Sequence, residues 1–177
     1  MADRGRSTEE EDRFADWVRE HGRAVRGFVF ASVRRIDVAD ELSQEVFCRA
    51  WQARANYREQ GTARAYLLRI ADRLVCDRHR RNGVQVNLDE DGWRRHEPSC
   101  TSADPPAAAM QAEVNGQLAA ALDQLSSPQR RVLLLRYFGQ LTFAEIAEMT
   151  DCPLNTTLSH CRRGLETLRV LMVEKES

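Results

Sequence analysis

Near the C-terminus, Asn155, Thr156, Ser159, His160, Arg162 and Arg163 carry side chains suited to reading DNA. Asn and Arg can pair bidentately with base edges, and Ser, Thr and Arg can hold phosphates. On a helix, the spacing turns these residues away from an apolar stripe of Leu158, Cys161, Leu165, Leu168 and Met172. A second set recurs at spacings of three and four: Thr62, Tyr66, Arg69, Arg73, Cys76 and Arg80. Guanidinium groups and an aromatic on one face suit a strand of nucleic acid, by phosphate contact and base stacking. An ordinary solvated helix face would look the same. Asn56-Tyr57-Arg58-Glu59-Gln60-Gly61 just before it is a polar loop that could hold a base pulled from a duplex. A third set, Asp40, Glu41, Gln44, Glu45 and Cys48, is polar and mostly acidic. It fits either a dipole-complementing helix surface or a docking face for a basic protein.

Catalytic signatures are missing. There is no Ser/His/Asp order, phosphate-binding loop, glycine-rich dinucleotide motif or HExxH. The five cysteines are odd in number and form no CxxC, and with His79, His96 and His160 they show no metal-ligand spacing. No cofactor or metal is expected, and the cysteines read as reduced and structural.

The elements that must position these residues are helical. Thr142 and Glu145 form a capping box for a short helix with Phe143, Ile146, Ala147 and Met149 on its apolar face. Thr150-Asp151-Cys152-Pro153 ends it, and the longer helix follows. Short helix, tight turn and longer helix is the order of a helix-turn-helix, whose second helix enters the major groove. Ahead of it, a helix is expected over about 113–125. Another starts at Ser127-Pro128, with Ser127 as N-cap, and runs to Phe138. In the front half the spacing predicts helices over 13–20 and 23–35. A third is capped by Asp37 or Asp40 and runs to about Arg54. A fourth starts at Gly61-Thr62 and runs to about Arg81, with Leu67, Ile70, Ala71 and Leu74 inward. The Pro-, Gly- and Ser-containing stretch from Val84 to Pro106 has no sustained period and reads as a linker. The expected fold is therefore all-α: two small helical domains at 12–82 and 110–174, joined by a flexible acidic linker at 83–109.

The chain's 177 residues carry a net charge of −1, which is unusual for a nucleic-acid binder. The charge is unevenly placed. Residues 1–83 hold 17 Arg against 14 acids, and 84–106 hold 2 Arg against 5 acids. A near-neutral chain can still bind DNA if its cations share a face. No apolar run is long enough for a bilayer, and the charged N-terminus lacks the apolar core of a secretory signal, so a cytoplasmic protein is expected.

The two blocks together resemble one family. DVADELSQEVFCRAW and ANYREQGTARAYLLRIADRLVCDRHRR in front, with LDQLSSPQRRVLLLRYFGQLTFAEIAEMTDCPLNTTLSHCRRGLETLR behind, look like a bacterial extracytoplasmic-function sigma factor. The resemblance implies a protein that binds core RNA polymerase and directs promoter-specific initiation without catalysis of its own. It places Asp40, Glu41, Gln44, Glu45 and Phe47 in the helix that docks on the polymerase clamp. Tyr57 and Arg58 would capture a flipped base, while Arg64, Tyr66, Arg69, Arg73, Arg80 and Arg81 face melted −10 DNA. Thr142, Asn155, Thr156, Ser159, His160, Arg162 and Arg163 would read the −35 element as duplex. The linker would thread the polymerase, and an anti-sigma factor is a further candidate partner; membrane insertion is not expected. Alternatives are a helix-turn-helix factor acting without polymerase, which would bring palindromic sites and a dimer, and a sigma-like regulator that binds only proteins.

The chain departs from the family pattern at Ala63 (usually aromatic), Tyr66 (usually Trp) and Arg73 (usually Asn). In the recognition helix, Asn155-Thr156-Thr157-Leu158-Ser159-His160 replaces the usual Gly-Thr-Val-Lys-Ser-Arg. Leu158 is expected to take the core place that Val fills one residue earlier, rotating the helix slightly.

Overall fold

The computed structural model describes residues 3–54, 62–82 and 115–173, with side chains for 11–54, 62–81 and 115–173. Tyr57, Arg58 and the linker at 83–109 lie outside the described residues. In order along the chain are α1 (Asp3–Val33), α2 (Ile36–Gln52), α3 (Ala63–Asn82), α4 (115–123), α5 (Ser127–Tyr137), α6 (Phe143–Thr150) and α7 (Leu154–Val173). The all-α expectation holds, and no strand occurs among the described residues.

Two helices were expected where α1 is one. Gly22 lies inside it, where a glycine costs only about 1 kcal/mol. Burial of Val25, Phe28 and Val29 just beyond it outweighs that cost. The helix ends at Arg34, whose backbone is left-handed (φ 58°) and whose N–H donates to Phe30 O at 2.8 Å. A non-glycine residue there is strained by about 1–2 kcal/mol. The buried Arg34 guanidinium offsets the strain by donating to Ala119 O and lying 3.5 Å from Asp123 Oδ2.

The cap of α2 also differs from expectation. Arg35 is its N-cap, and Asp37 stands in the first turn, paired to Arg35 at 2.6 Å. Its carboxyl is held below the usual range by that hydrogen bond. Thr62 caps α3, its Oγ1 accepting from Ala65 N at 3.2 Å. At α5 the cap is Ser126, one residue earlier than expected, because Gln129 Oε1 accepts from Ser126 N at 3.2 Å. The Thr142–Glu145 capping box forms as the sequence implies, with reciprocal bonds of 2.8 and 3.2 Å.

Val25, Phe28 and Val29 of α1 pack with Val38, Leu42 and Val46 of α2 and with Leu67, Ala71 and Leu74 of α3. Behind them, α5 carries four successive buried residues, Val132 to Leu135, because it packs on neighbours all round. The two groups share one continuous apolar core. That is why α3 buries Leu68, Asp72 and Val75 in addition to Leu67, Ala71 and Leu74, while Ile70 is only partly buried.

The apolar stripe expected for α7 holds at Cys161, which is buried, and at Leu168, which packs against the core. It is corrected elsewhere: Thr157 and Gly164 are buried, while Leu158 and Leu165 are exposed. Small side chains let α7 approach α5 closely: a Cβ at Gly164 would stand 2.9 Å from Leu133 Cδ1. Gly139 is tighter still. A Cβ there would meet Leu135 O at 2.5 Å and Leu68 Cδ1, from the other group, at 2.9 Å. Gly139→Ala should therefore cost about 1–3 kcal/mol. The check is thermal unfolding, with a midpoint lowered by about 2–4 °C for each kcal/mol.

Candidate nucleic-acid interface

The helix-turn-helix is built from its caps and its turn. Arg136 Nη1 donates to Leu141 O at 2.8 Å, and its guanidinium lies 5.1 Å from the centroid of Phe143, fixing the entry to α6. Asp151 closes α6 in the left-handed region (φ 52°), and Cys152 N donates back to Ala147 O at 3.0 Å. Pro153 then leads into α7, its carbonyl accepting from Thr157 N at 2.9 Å. Asn155, Thr156, Arg162 and Arg163 are exposed on α7, and Ser159 and His160 are partly so. At helical spacing, Asn155, Thr156, Ser159, Arg162 and Arg163 share the face opposite the buried Thr157, Cys161 and Gly164; His160 lies at its border. The Ser159 hydroxyl turns back to Asn155 O at 2.8 Å. Thr142 is exposed at the start of α6, and its Oγ1 lies 2.7 Å from Glu145 Oε2.

On α3 the second stripe is also one outward face: Thr62, Arg73, Cys76 and Arg80 are exposed, and Tyr66 and Arg69 are partly buried. Arg81 is exposed beside the stripe, whereas the partly buried Arg64 falls on the opposite side of the helix. Tyr66 rests against Trp17, with ring centroids 6.2 Å apart, and burial pushes its hydroxyl pKa up. Sequence reasoning missed Trp17, Phe14 and Trp51. They form an aromatic cluster with Phe47, in which Phe14 meets Trp51 at 5.1 Å and Phe47 at 6.3 Å. Tryptophans 34 residues apart give no periodic signal that they will meet. On α2, Glu41, Gln44 and Cys48 are exposed. Glu45 is tied to Arg49 at 2.7 Å, and Asp40 to Arg26 at 2.6 Å. Phe47 is packed against the core, not held out from it.

The front stripe and the helix-turn-helix touch. Arg69 pairs with Glu148 at 2.7 Å, Arg64 donates to Gln140 Oε1 at 2.5 Å, and Thr62 reaches Glu145 at 3.4 Å. Deeper in the seam, Asp72 is nearly sealed from solvent, and Arg131 grips it with two hydrogen bonds, the Nε one at 2.8 Å. Those bonds raise the Arg131 pKa. Arg34 and Arg130 converge on Asp123, the latter at 3.0 Å, and burial draws the Arg34 pKa down. No described helix is long and apolar enough to cross a membrane.

Comparison with known proteins finds a family match in each group. Residues 17–84 match Sigma-70 region 2, and residues 115–168 match Sigma-70 region 4. The chain is 27% identical over 164 residues to the ECF RNA polymerase sigma factor SigK of Mycolicibacterium vanbaalenii, covering 89% of this chain and 81% of that one. It is 26% identical over 166 residues to SigW of Bacillus subtilis, covering 90% and 89%. In fold it is similar to the sigma factor RpoE solved with the anti-sigma factor NepR from Bartonella quintana (TM-score 0.65, 23% identity, covering 84% and 89%). It is also similar to CnrH solved with the cytosolic domain of CnrY (TM-score 0.68, 20% identity, covering 98% and 99%).

Proposed function

The chain belongs to the extracytoplasmic-function sigma factors, with regions 2 and 4 in order along it, and we propose that its two helix groups part on core polymerase to hold two promoter elements at once. As an alternative sigma factor it binds core RNA polymerase and directs initiation to its own promoters. The observation that carries the parting is the seam between α3 and the helix-turn-helix. Elements at −10 and −35 lie roughly 25 base pairs apart, about 85 Å at ~3.4 Å per pair. Arg69 on the proposed −10 face and Glu148 on the first helix of the proposed −35 reader are 2.7 Å apart. Both elements cannot be bound in that arrangement. The stretch from 83 to 114 is 32 residues long and reaches about 100 Å when extended, enough to span the gap.

The division of labour follows the outward stripe of α3 and the family resemblance. Arg69, Arg73 and Arg80 on the stripe hold the −10 strand, with Arg64 and Arg81 as further contacts by resemblance; Tyr66 offers a ring to an unstacked base, and Tyr57 with Arg58 captures the flipped base. Asn155, Thr156, Ser159, His160, Arg162, Arg163 and Thr142 meet the −35 duplex. Glu41, Gln44 and Glu45 on α2 dock on the polymerase clamp, beside Asp40 and Phe47. Capturing unpaired bases offsets the cost of unstacking them, so melting is driven by binding and needs no catalytic group. The protein acts in the cytoplasm with polymerase. An anti-sigma factor is a further proposed partner, supported by likeness in fold to a sigma factor solved with one. Permanganate footprinting of the holoenzyme on its promoter is the test: thymines near −10 become reactive only with the protein present. Protection at −35 with an unreactive −10 region would remove the melting role from the front group.

A further inference from the structure

We infer that Leu158 is a base-reading residue of the −35 element, selecting a thymine by its methyl group; this rests on α7 being the −35 reader. The observation is the register of α7. Thr157, not Leu158, occupies the core, with no accessible surface and its hydroxyl 3.3 Å from Pro153 O. Leu158 therefore holds the outward place where the family pattern has Lys, and it is 40% exposed. Helical spacing sets it beside Asn155 and Arg162, in the N-terminal half of the helix that a helix-turn-helix lays in the major groove.

The chemistry of that place then changes sign. A Lys would seek guanine or a phosphate. A leucine offers no hydrogen bond, and laid over a base edge it leaves buried donors or acceptors unpaired. The C5-methyl of thymine is the apolar feature of the major groove, and covering it removes apolar surface from water on both sides. Ser159 does not compete for this position, because its hydroxyl is bonded back to Asn155 O. The promoter set of this factor should thus carry a T·A pair under Leu158.

The test uses holoenzyme assembled on bacterial core polymerase. The −35 sequences it retains are selected from a randomised duplex, and each selected thymine is then replaced by deoxyuridine, which lacks only the methyl. At one position the wild type should lose about fourfold in affinity, the value of one buried carbon. Leu158→Ala should lose nothing further there, and Leu158→Lys should abandon the thymine preference at that position alone. Equal uracil penalties in wild type and Leu158→Ala would overturn the assignment while leaving α7 as the reader. A wild-type holoenzyme indifferent to −35 sequence would overturn both. Loss of core binding by Leu158→Ala would instead place Leu158, with the exposed Leu154 and Leu165, on a protein-docking surface and overturn base reading.

Discussion

Reversing the charge of both Arg69 and Arg73 is expected to abolish open-complex formation while leaving core polymerase binding intact. The two residues sit one turn apart on the outward face of α3, whereas the docking acids belong to α2. Each charge-assisted contact to a phosphate contributes about 1.5–3 kcal/mol, so losing two costs about 100-fold or more. The salt dependence of promoter binding should also flatten by about one unit of slope for each cation lost. Arg69 has a second role that must be separated from this one, since Arg69→Glu also repels Glu148. Glu148→Lys breaks the same contact without altering the −10 face, and it should retain open complexes. Permanganate reactivity reads the melting, and co-purification reads core binding. If the Arg69→Glu, Arg73→Glu variant fails to bind core, the face has been assigned wrongly.

The second large effect is expected at the buried ion pair of the seam. Arg131→Ala leaves the Asp72 carboxylate sealed in the core without its two donors. Breaking one side of such a pair costs about 3–5 kcal/mol, and the partly exposed Arg131 side chain favours the lower figure. The packed form should yield by separating the groups, which lets Asp72 reach water. Small-angle scattering should then show a larger radius of gyration, and the thermal midpoint should drop by about 6–12 °C. Asp72→Leu combined with Arg131→Met should restore the compact form, because apolar residues of similar volume can replace a buried pair. An unchanged radius for Arg131→Ala, with no loss of stability, would mean that this pair does not hold the groups together.

Much of the helix order was legible from local chemistry. Thr142 and Glu145 cap each other across three residues, and the Asp151-Cys152-Pro153 break needs no tertiary partner. The outward stripe of α3 was legible for the same reason, since Arg69, Arg73 and Arg80 follow the helical repeat. What could not be read depends on packing. Gly22 looks like a break until the apolar residues after it are seen to bury. On α7, hydrophobic periodicity weights Leu158 and Leu165, but close approach to α5 selects the small side of the helix, Thr157, Cys161 and Gly164. Arg34 in a left-handed turn and Asp72 beside Arg131 are joined by contacts far apart in sequence, and charged residues carry no periodic mark of burial. The seam between the two groups was for that reason invisible in the sequence, although the α3 stripe that brings Thr62 and Arg69 to it was identified.

The most direct test is run-off transcription with purified protein and bacterial core polymerase on pooled genomic fragments from the source organism. Discrete transcripts that appear only when the protein is added, from starts sharing a −10 and a −35 element, are the expected result. Failure of the protein to bind core polymerase, with no such transcripts, would contradict its role as a sigma factor.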